Sequence, residues 1–146
     1  MNQLDKTILR ELQRDSRISY NDLSDTIKKP SSTIHDHVKR LVSEGIIRAY
    51  TIKVDDSKVG RDYKALIGIE TGAKLFLNVA EELSKIDDVC DVYSTTAEFD
   101  LMIKMKVSSR DNMANALNKI RHIEGVNDIY VISILDTYKE DGFSFK

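Results

Sequence analysis

The chain has 146 residues, enough for one medium domain or two small ones. With 41% hydrophobic and 32% charged residues it has the composition of a globular protein rich in amphipathic elements, and no apolar run nears the ~18 residues of a membrane span. Net charge is only −2, so bulk charge does not announce nucleic acid, but residues 1–50 carry nine Lys/Arg against seven Asp/Glu and the remainder thirteen against seventeen, a mildly basic part followed by an acidic one.

The opening "MNQLDKTILREL" is charged from residue 5 and does not read as a secretory leader. A single cysteine, Cys90, leaves no internal disulfide and fits a reducing cytoplasm. In "DDVCDVY" it is expected as a buried strand thiol, since no histidine lies near it to make it a nucleophile.

Three short helices are expected first. Leu4, Ile8, Leu9 and Leu12 recur at helical spacing. Ser19 is a plausible N-cap, with Asp22 three residues on, for a second helix whose apolar stripe is Leu23 and Ile27. "KKP" then breaks the chain, because the residue before Pro30 is pushed out of the helical region. The third helix carries Ile34, Val38, Leu41 and Val42 and ends at Gly45. "IIRAYTIKVD" follows as an extended stretch, and "DDSKVGRDYK" is polar enough to read as a linker.

The rest contains an internal repeat. "KIDDVCDVY" (85–93) resembles "HIEGVNDIY" (122–130), and Phe76, Val79, Ala80, Leu83 and Ile86 match Met113, Ala116, Leu117, Ile120 and Ile123 at the same offset. Each copy therefore holds one amphipathic helix, preceded by a strand ("KALIGIE", "FDLMIKMKV") and followed by one ("VCDVYSTT", "VNDIYVISILDTY"). Two βαβ units in tandem give βαββαβ, the ferredoxin-like arrangement with both helices on one face of an antiparallel sheet. In the last strand Ile129, Val131 and Leu135 point one way, Tyr130, Ile132 and Ile134 the other. A strand apolar on both faces needs a second cover, and the simplest is another copy of the chain packed sheet to sheet.

"SSTIHDHVKRL" (31–41) holds two of the three histidines. On a helix His35 and His37 sit about 200° apart, so they do not share one metal; no metal and no cofactor is expected. With the apolar stripe turned inward, the opposite side is centred on Asp36, with Ser32, Thr33, Lys39 and Arg40 around it and His35 and His37 at its flanks. On the second helix of a tight helix-turn-helix, such a row reaches the major groove. Ser32, Thr33 and His35 or His37 are candidates for base contacts; Lys39, Arg40 and Arg48 for phosphate contacts; Asp36 for a cytosine amine or for orienting Arg40.

The residues "LDKTILRELQRDSRISYNDLSDTI", "STIHDHVKRLVSEGIIRAYTIKVD", "ALIGIE", "FDLMIKMKV" and "HIEGVNDIYV" resemble the Lrp/AsnC family of bacterial and archaeal transcription regulators over roughly residues 2–139. The resemblance implies an α+β architecture: a winged helix-turn-helix with a hinge strand over 1–54, a linker at 55–63, and a dimerising βαββαβ domain over 64–146. It implies double-stranded DNA with a pseudo-palindromic operator as partner, a homodimer assembling to an octamer, and an amino acid or other small effector held between dimers. The DNA-binding set is then Lys28, Lys29, Ser31, Ser32, Thr33, His35, Asp36, His37, Lys39, Arg40 and Arg48; the effector set is Thr95, Thr96, Ala97, Glu98 and Asp100.

Three departures stand out. Lys28, Lys29 and Pro30 occupy a turn where the family has glycine and an apolar residue before a serine cap. His37 stands where the family's recognition helix has arginine. Ala97, Ile129 and Val131 replace a loop glycine and strand threonines, which leaves fewer groups for a free amino acid and predicts a weak or absent response to leucine, asparagine and lysine. The same fold hosts acylphosphatase-like enzymes and stand-alone metabolite sensors. No Gly-rich phosphate loop, Ser-His-Asp set or Cys-His pair points to catalysis, and the cluster Asp87, Asp88, Asp91 reads as a solvated turn. An effector-independent architectural DNA binder is the alternative within DNA-binding proteins.

Overall fold

The computed structural model describes residues 1–96 and 98–140. The chain divides into two compact units, with the boundary between Lys53 and Val54.

The first unit is three helices: α1 (Gln3–Arg14), α2 (Tyr20–Ile27) and α3 (Ser31–Ser43). Ile8, Leu9, Leu12, Leu23, Ile34, Val38 and Leu41 form its core, with Leu4 and Ile27 packed at the margin. The expected stripe is thus correct except at Val42, which lies 46% exposed. Ser19 caps α2, its hydroxyl accepting from the Asp22 N–H at 3.0 Å. Pro30 sets φ for entry to α3, with no side-chain cap, so Ser31 opens the helix rather than capping it. Gly45 (φ 70°) follows the end of α3. The segment 46–55, read as an extended hinge, lies in no ladder; a lone extended stretch has no strand partner within one chain.

The second unit is a four-stranded antiparallel sheet in the order β2-β3-β1-β4, built from β1 (Tyr63–Thr71), β2 (Val89–Ser94), β3 (Leu101–Val107) and β4 (Val126–Ser133). Helices α4 (Phe76–Ser84) and α5 (Arg110–Arg121) supply Val79, Leu83, Met113, Ala116 and Ile120 to a core completed by Ala65, Ile67, Ile69, Leu101, Ile103, Met105, Val107 and Ile129. The register pairs Ile67 with Ile103 and Val131, and Leu66 with Lys104 and Ile132. Paired residues share a face, so Ile129 and Val131 lie on the helix side, while Leu66, Tyr130 and Ile132 lie on the other. Met102 and Tyr93, paired with each other and with Gly68 through Met102, lie on that other face too.

Two expectations are corrected here. The segment 55–63 is not a free linker. Asp56 accepts from Lys64 at 2.7 Å and Lys106 at 2.8 Å, and Arg61 reaches Asp88 at 3.2 Å, so the turn is tied to the sheet. These contacts hold the Asp56 carboxyl at about 2, the Lys106 bond being the largest cause and the Lys64 bond the next. Cys90 is exposed, not buried. It falls where the β2–β3 register shifts between Val89 and Asp91, so the bulge takes it out of the in–out alternation.

Candidate nucleic-acid interface

Ile34, Val38 and Leu41 turn one side of α3 into the helical core. At about 100° per residue the opposite side carries Ser32, His35, Asp36 and Lys39, all exposed. Asp36 is 81% exposed, with His35 Nδ1 at 3.8 Å from its carboxylate. His35 is also buttressed from α2, its ring edge-on to Tyr20 with centroids 5.3 Å apart. Lys28 and Lys29 are exposed in the turn before α3, and Arg48 beyond its end. The turn is held by Ser24, whose carbonyl accepts from Lys28 and Lys29 N–H and whose hydroxyl donates to the Lys29 carbonyl at 2.6 Å. Lys28 closes α2 at φ 59°, a left-handed position that favours glycine.

His37 and Arg40 sit on the flank of α3 that turns toward α1, and Thr33, half-buried, shares their side by helical spacing. The reason is Asp5. Its carboxylate is fully buried. Oδ1 lies 2.7 Å from His37 Nδ1 and 2.6 Å from Arg40 Nη2, and Oδ2 accepts from the Asn2 N–H at 2.8 Å. Asn2 completes a capping box by accepting from the Asp5 N–H at 2.9 Å. Burial raises the Asp5 pKa; the hydrogen bonds from His37, Asn2 and Arg40 outweigh it and hold the carboxyl well below the usual range. Arg40 is raised in turn, the Asp5 bond being the largest cause, and its Nη1 reaches Glu44 at 3.3 Å.

This alters the expected site. Arg40 is oriented by Asp5, not by Asp36, and one of its terminal nitrogens is committed to that carboxylate. His37 is drawn off the exposed row by the same group. Sequence reading missed Asp5, yet a trace was present: it lies three and four residues before Ile8 and Leu9, inside the apolar stripe of α1.

The expected effector residues divide differently. Ala97 lies outside the described residues. Asp100 is structural in part: its Oδ2 accepts from the Thr71 N–H at 2.8 Å, and its backbone bridges Ile69 and Thr95. The Thr95 hydroxyl donates to the Phe99 carbonyl. Thr96 and Glu98 are exposed. Phe99, not anticipated, rests over Gly68, where an added Cβ would meet its ring at 2.5 Å, and packs against Tyr130 with the ring planes tilted by 43° and centroids 5.0 Å apart. Tyr130 points its hydroxyl toward Glu70 at 3.4 Å, and the negative charges of Glu70 and Asp128 raise its pKa.

A three-helix unit displaying a polar recognition helix, followed in sequence by a βαββαβ domain, defines a helix-turn-helix transcription regulator. Residues 1–48 match a winged helix-turn-helix DNA-binding model and residues 64–142 the Lrp/AsnC ligand binding domain; the chain belongs to the Lrp/AsnC family. It is 30% identical over 140 residues to HTH-type transcriptional regulator FL11 of Pyrococcus furiosus, covering 96% of this chain and 93% of that one. An uncharacterised HTH-type transcriptional regulator of Pyrococcus abyssi is 32% identical over 145 residues, 97% of each chain. Among solved structures, Escherichia coli AsnC superposes with a TM-score of 0.92 at 27% identity, covering 98% of this chain and 97% of that one. The Neisseria meningitidis regulator NMB0573, solved as an L-Met complex, superposes at 0.90 and 21% identity over 96% and 93%, which shows a shared fold. Among the described residues no helix is long and apolar enough to cross a membrane.

Proposed function

We propose that this transcription regulator reads DNA with the exposed row Ser32, His35, Asp36 and Lys39 of α3, and that Lys28, Lys29 and Arg48 hold phosphates around it. The carrying observation is that these four side chains are exposed together on one side of α3 while Thr33, His37 and Arg40 are not. Ser32 and Lys39 offer donors to base edges, and Asp36 accepts from a cytosine amine. The dimer presents two such helices to a pseudo-palindromic operator, in the cytoplasm. Its interface is the open sheet face, where Tyr93, Tyr130 and Ile132 are 44–56% exposed. Reading the chain as a regulator and not an enzyme is supported by how its acidic turn is used: Asp88 is bonded to Arg61, as a structural partner would be.

The effector reading is narrower than the family's. Asp100 is engaged by the end of β1 and Thr95 by its own loop, which leaves Thr96 and Glu98 for a ligand and supports a weak response to leucine, asparagine and lysine. In vitro selection from a randomised duplex library, followed by binding of a Ser32→Ala, His35→Ala, Lys39→Ala triple variant, tests the interface. Loss of preference among selected sequences is expected; an unaltered preference overturns the assignment. Calorimetry with all twenty amino acids at millimolar concentration tests the effector reading, and a clear heat with leucine, asparagine or lysine that also changes operator affinity refutes it.

A further inference from the structure

We infer that Asp5, on α1 and outside the proposed reading row, is a specificity-determining positioning residue: through His37 and Arg40 it sets the pose in which α3 reads base edges. This rests on α3 being the reading helix. Three observations carry it. Among the described residues Asp5 is the one charged residue in the buried set, at 0% exposure. A single oxygen, Oδ1, takes both α3 contacts, at 2.7 Å from His37 and 2.6 Å from Arg40. These two residues lie three apart on α3, so the bonds grip one flank of the helix over nearly a full turn. Between them they fix rotation about the helix axis as well as distance from α1, which apolar contacts alone set loosely because they have no direction. On the other side of the carboxylate, the capping box with Asn2 anchors Asp5 to the first turn of α1. The chain of bonds thus runs from the α1 N-terminus to the middle of the recognition helix.

The consequence is that His37 and Arg40 influence recognition without touching a base. A direct base contact by His37 would confine its effect to one position of the operator. A phosphate contact by Arg40 would appear as a smaller salt slope, by about 1. A clamp does neither. Releasing it rotates the whole row Ser32, His35, Asp36 and Lys39 and blurs preference at every position that row reads.

The experiment uses the full chain and a duplex selected by the unaltered protein from a randomised library. Base preference is measured position by position, with salt slope and thermal midpoint, for Asp5→Asn, His37→Ala, Arg40→Gln and, as the reader control, Lys39→Gln. Expected for the three clamp variants is a common flattening across the half-site, with specific affinity falling by roughly tenfold or more, the cost of at least one mismatched pair. Random-sequence affinity and its salt slope stay near the original value. Asp5→Asn combined with Arg40→Gln is no worse than either alone, because both remove one unit. Should Asp5→Asn fail to fold, His37→Ala and Arg40→Gln carry the same comparison. Loss at one base position for His37→Ala, a reduced salt slope for Arg40→Gln, or unaltered preference in the clamp variants overturns the proposal. If Lys39→Gln is also without effect, the reading of α3 itself has failed; if Lys39→Gln alters preference and the clamp variants do not, only the clamp has.

Discussion

At the scale of single residues, two side chains sit where their chemistry is costly, and each yields a measurable effect. Asp5 is buried with its charge, held by His37, Asn2 and Arg40. Its folded pKa is depressed, so the stability it contributes is fully present above the unfolded value of about 4 and is lost as pH falls below it. Asp5→Asn is expected to lower stability by about 2–3 kcal/mol at neutral pH, the worth of hydrogen bonds to a charged group. Arg40 is freed toward water rather than stranded, which keeps the cost from rising further. The gap between thermal melts of the two proteins should hold from pH 7 to about pH 4 and then narrow steadily as pH falls on toward the depressed folded value; a gap unchanged across that range would contradict the assignment. Lys28 holds φ 59° with a side chain. Lys28→Gly relieves left-handed strain at some cost in unfolded-state entropy, for a net gain of about 0.5–1 kcal/mol. If Lys28 also holds a phosphate, the same variant lowers the salt slope of DNA binding by about 1, read from affinity against salt concentration.

At the scale of elements, the tandem repeat folds as two βαβ units, but its copies are not equivalent. Position 88 in the first copy is an aspartate and position 125 in the second is Gly125 at φ 101°. A Cβ on Gly125 would lie 2.5 Å from Leu75 Cβ and 3.0 Å from Val79 Cγ2. The turn entering β4 must pass directly under the start of α4, and only glycine lets it do so. Gly125→Ala combines left-handed strain with overpacking and is expected to cost roughly 2–4 kcal/mol. The midpoint of urea unfolding, followed by far-UV circular dichroism, measures it, and a loss below 1 kcal/mol would show that the turn can relax.

At the scale of the whole molecule, the sheet has one covered face and one open face, and the open one carries Leu66, Met102, Tyr130 and Ile132. A sheet face of that character is stable in water when something apolar covers it, and a second copy satisfies this with a self-complementary contact. Ile132→Asp places a carboxylate at that proposed contact, where an unpaired buried charge costs several kcal/mol. The expected result by sedimentation is a monomer at micromolar concentration, against a dimer or larger assembly for the unaltered chain. An unaltered sedimentation coefficient would move the interface elsewhere.

What the sequence determined by itself was whatever depends on spacing along the chain. The helix stripe Ile34, Val38, Leu41, the cap at Ser19, the repeat that doubles βαβ, and the two faces of β4 all follow from periods of 3.6 and 2. Those periods do not depend on what lies across the fold. Tertiary structure alone decided which polar residues face outward. His37 and Arg40 looked like members of the recognition row because the helical wheel has no knowledge of Asp5, thirty-odd positions earlier in sequence yet 2.7 Å and 2.6 Å away in space. Asp56 likewise turned an apparent linker into part of the sheet domain by meeting Lys64 and Lys106. A register shift exposed Cys90 where alternation alone would bury it. In each case an ion pair or a bulge, set by residues distant in sequence, overrode a local pattern, because charge pairing and backbone register are decided by proximity in space.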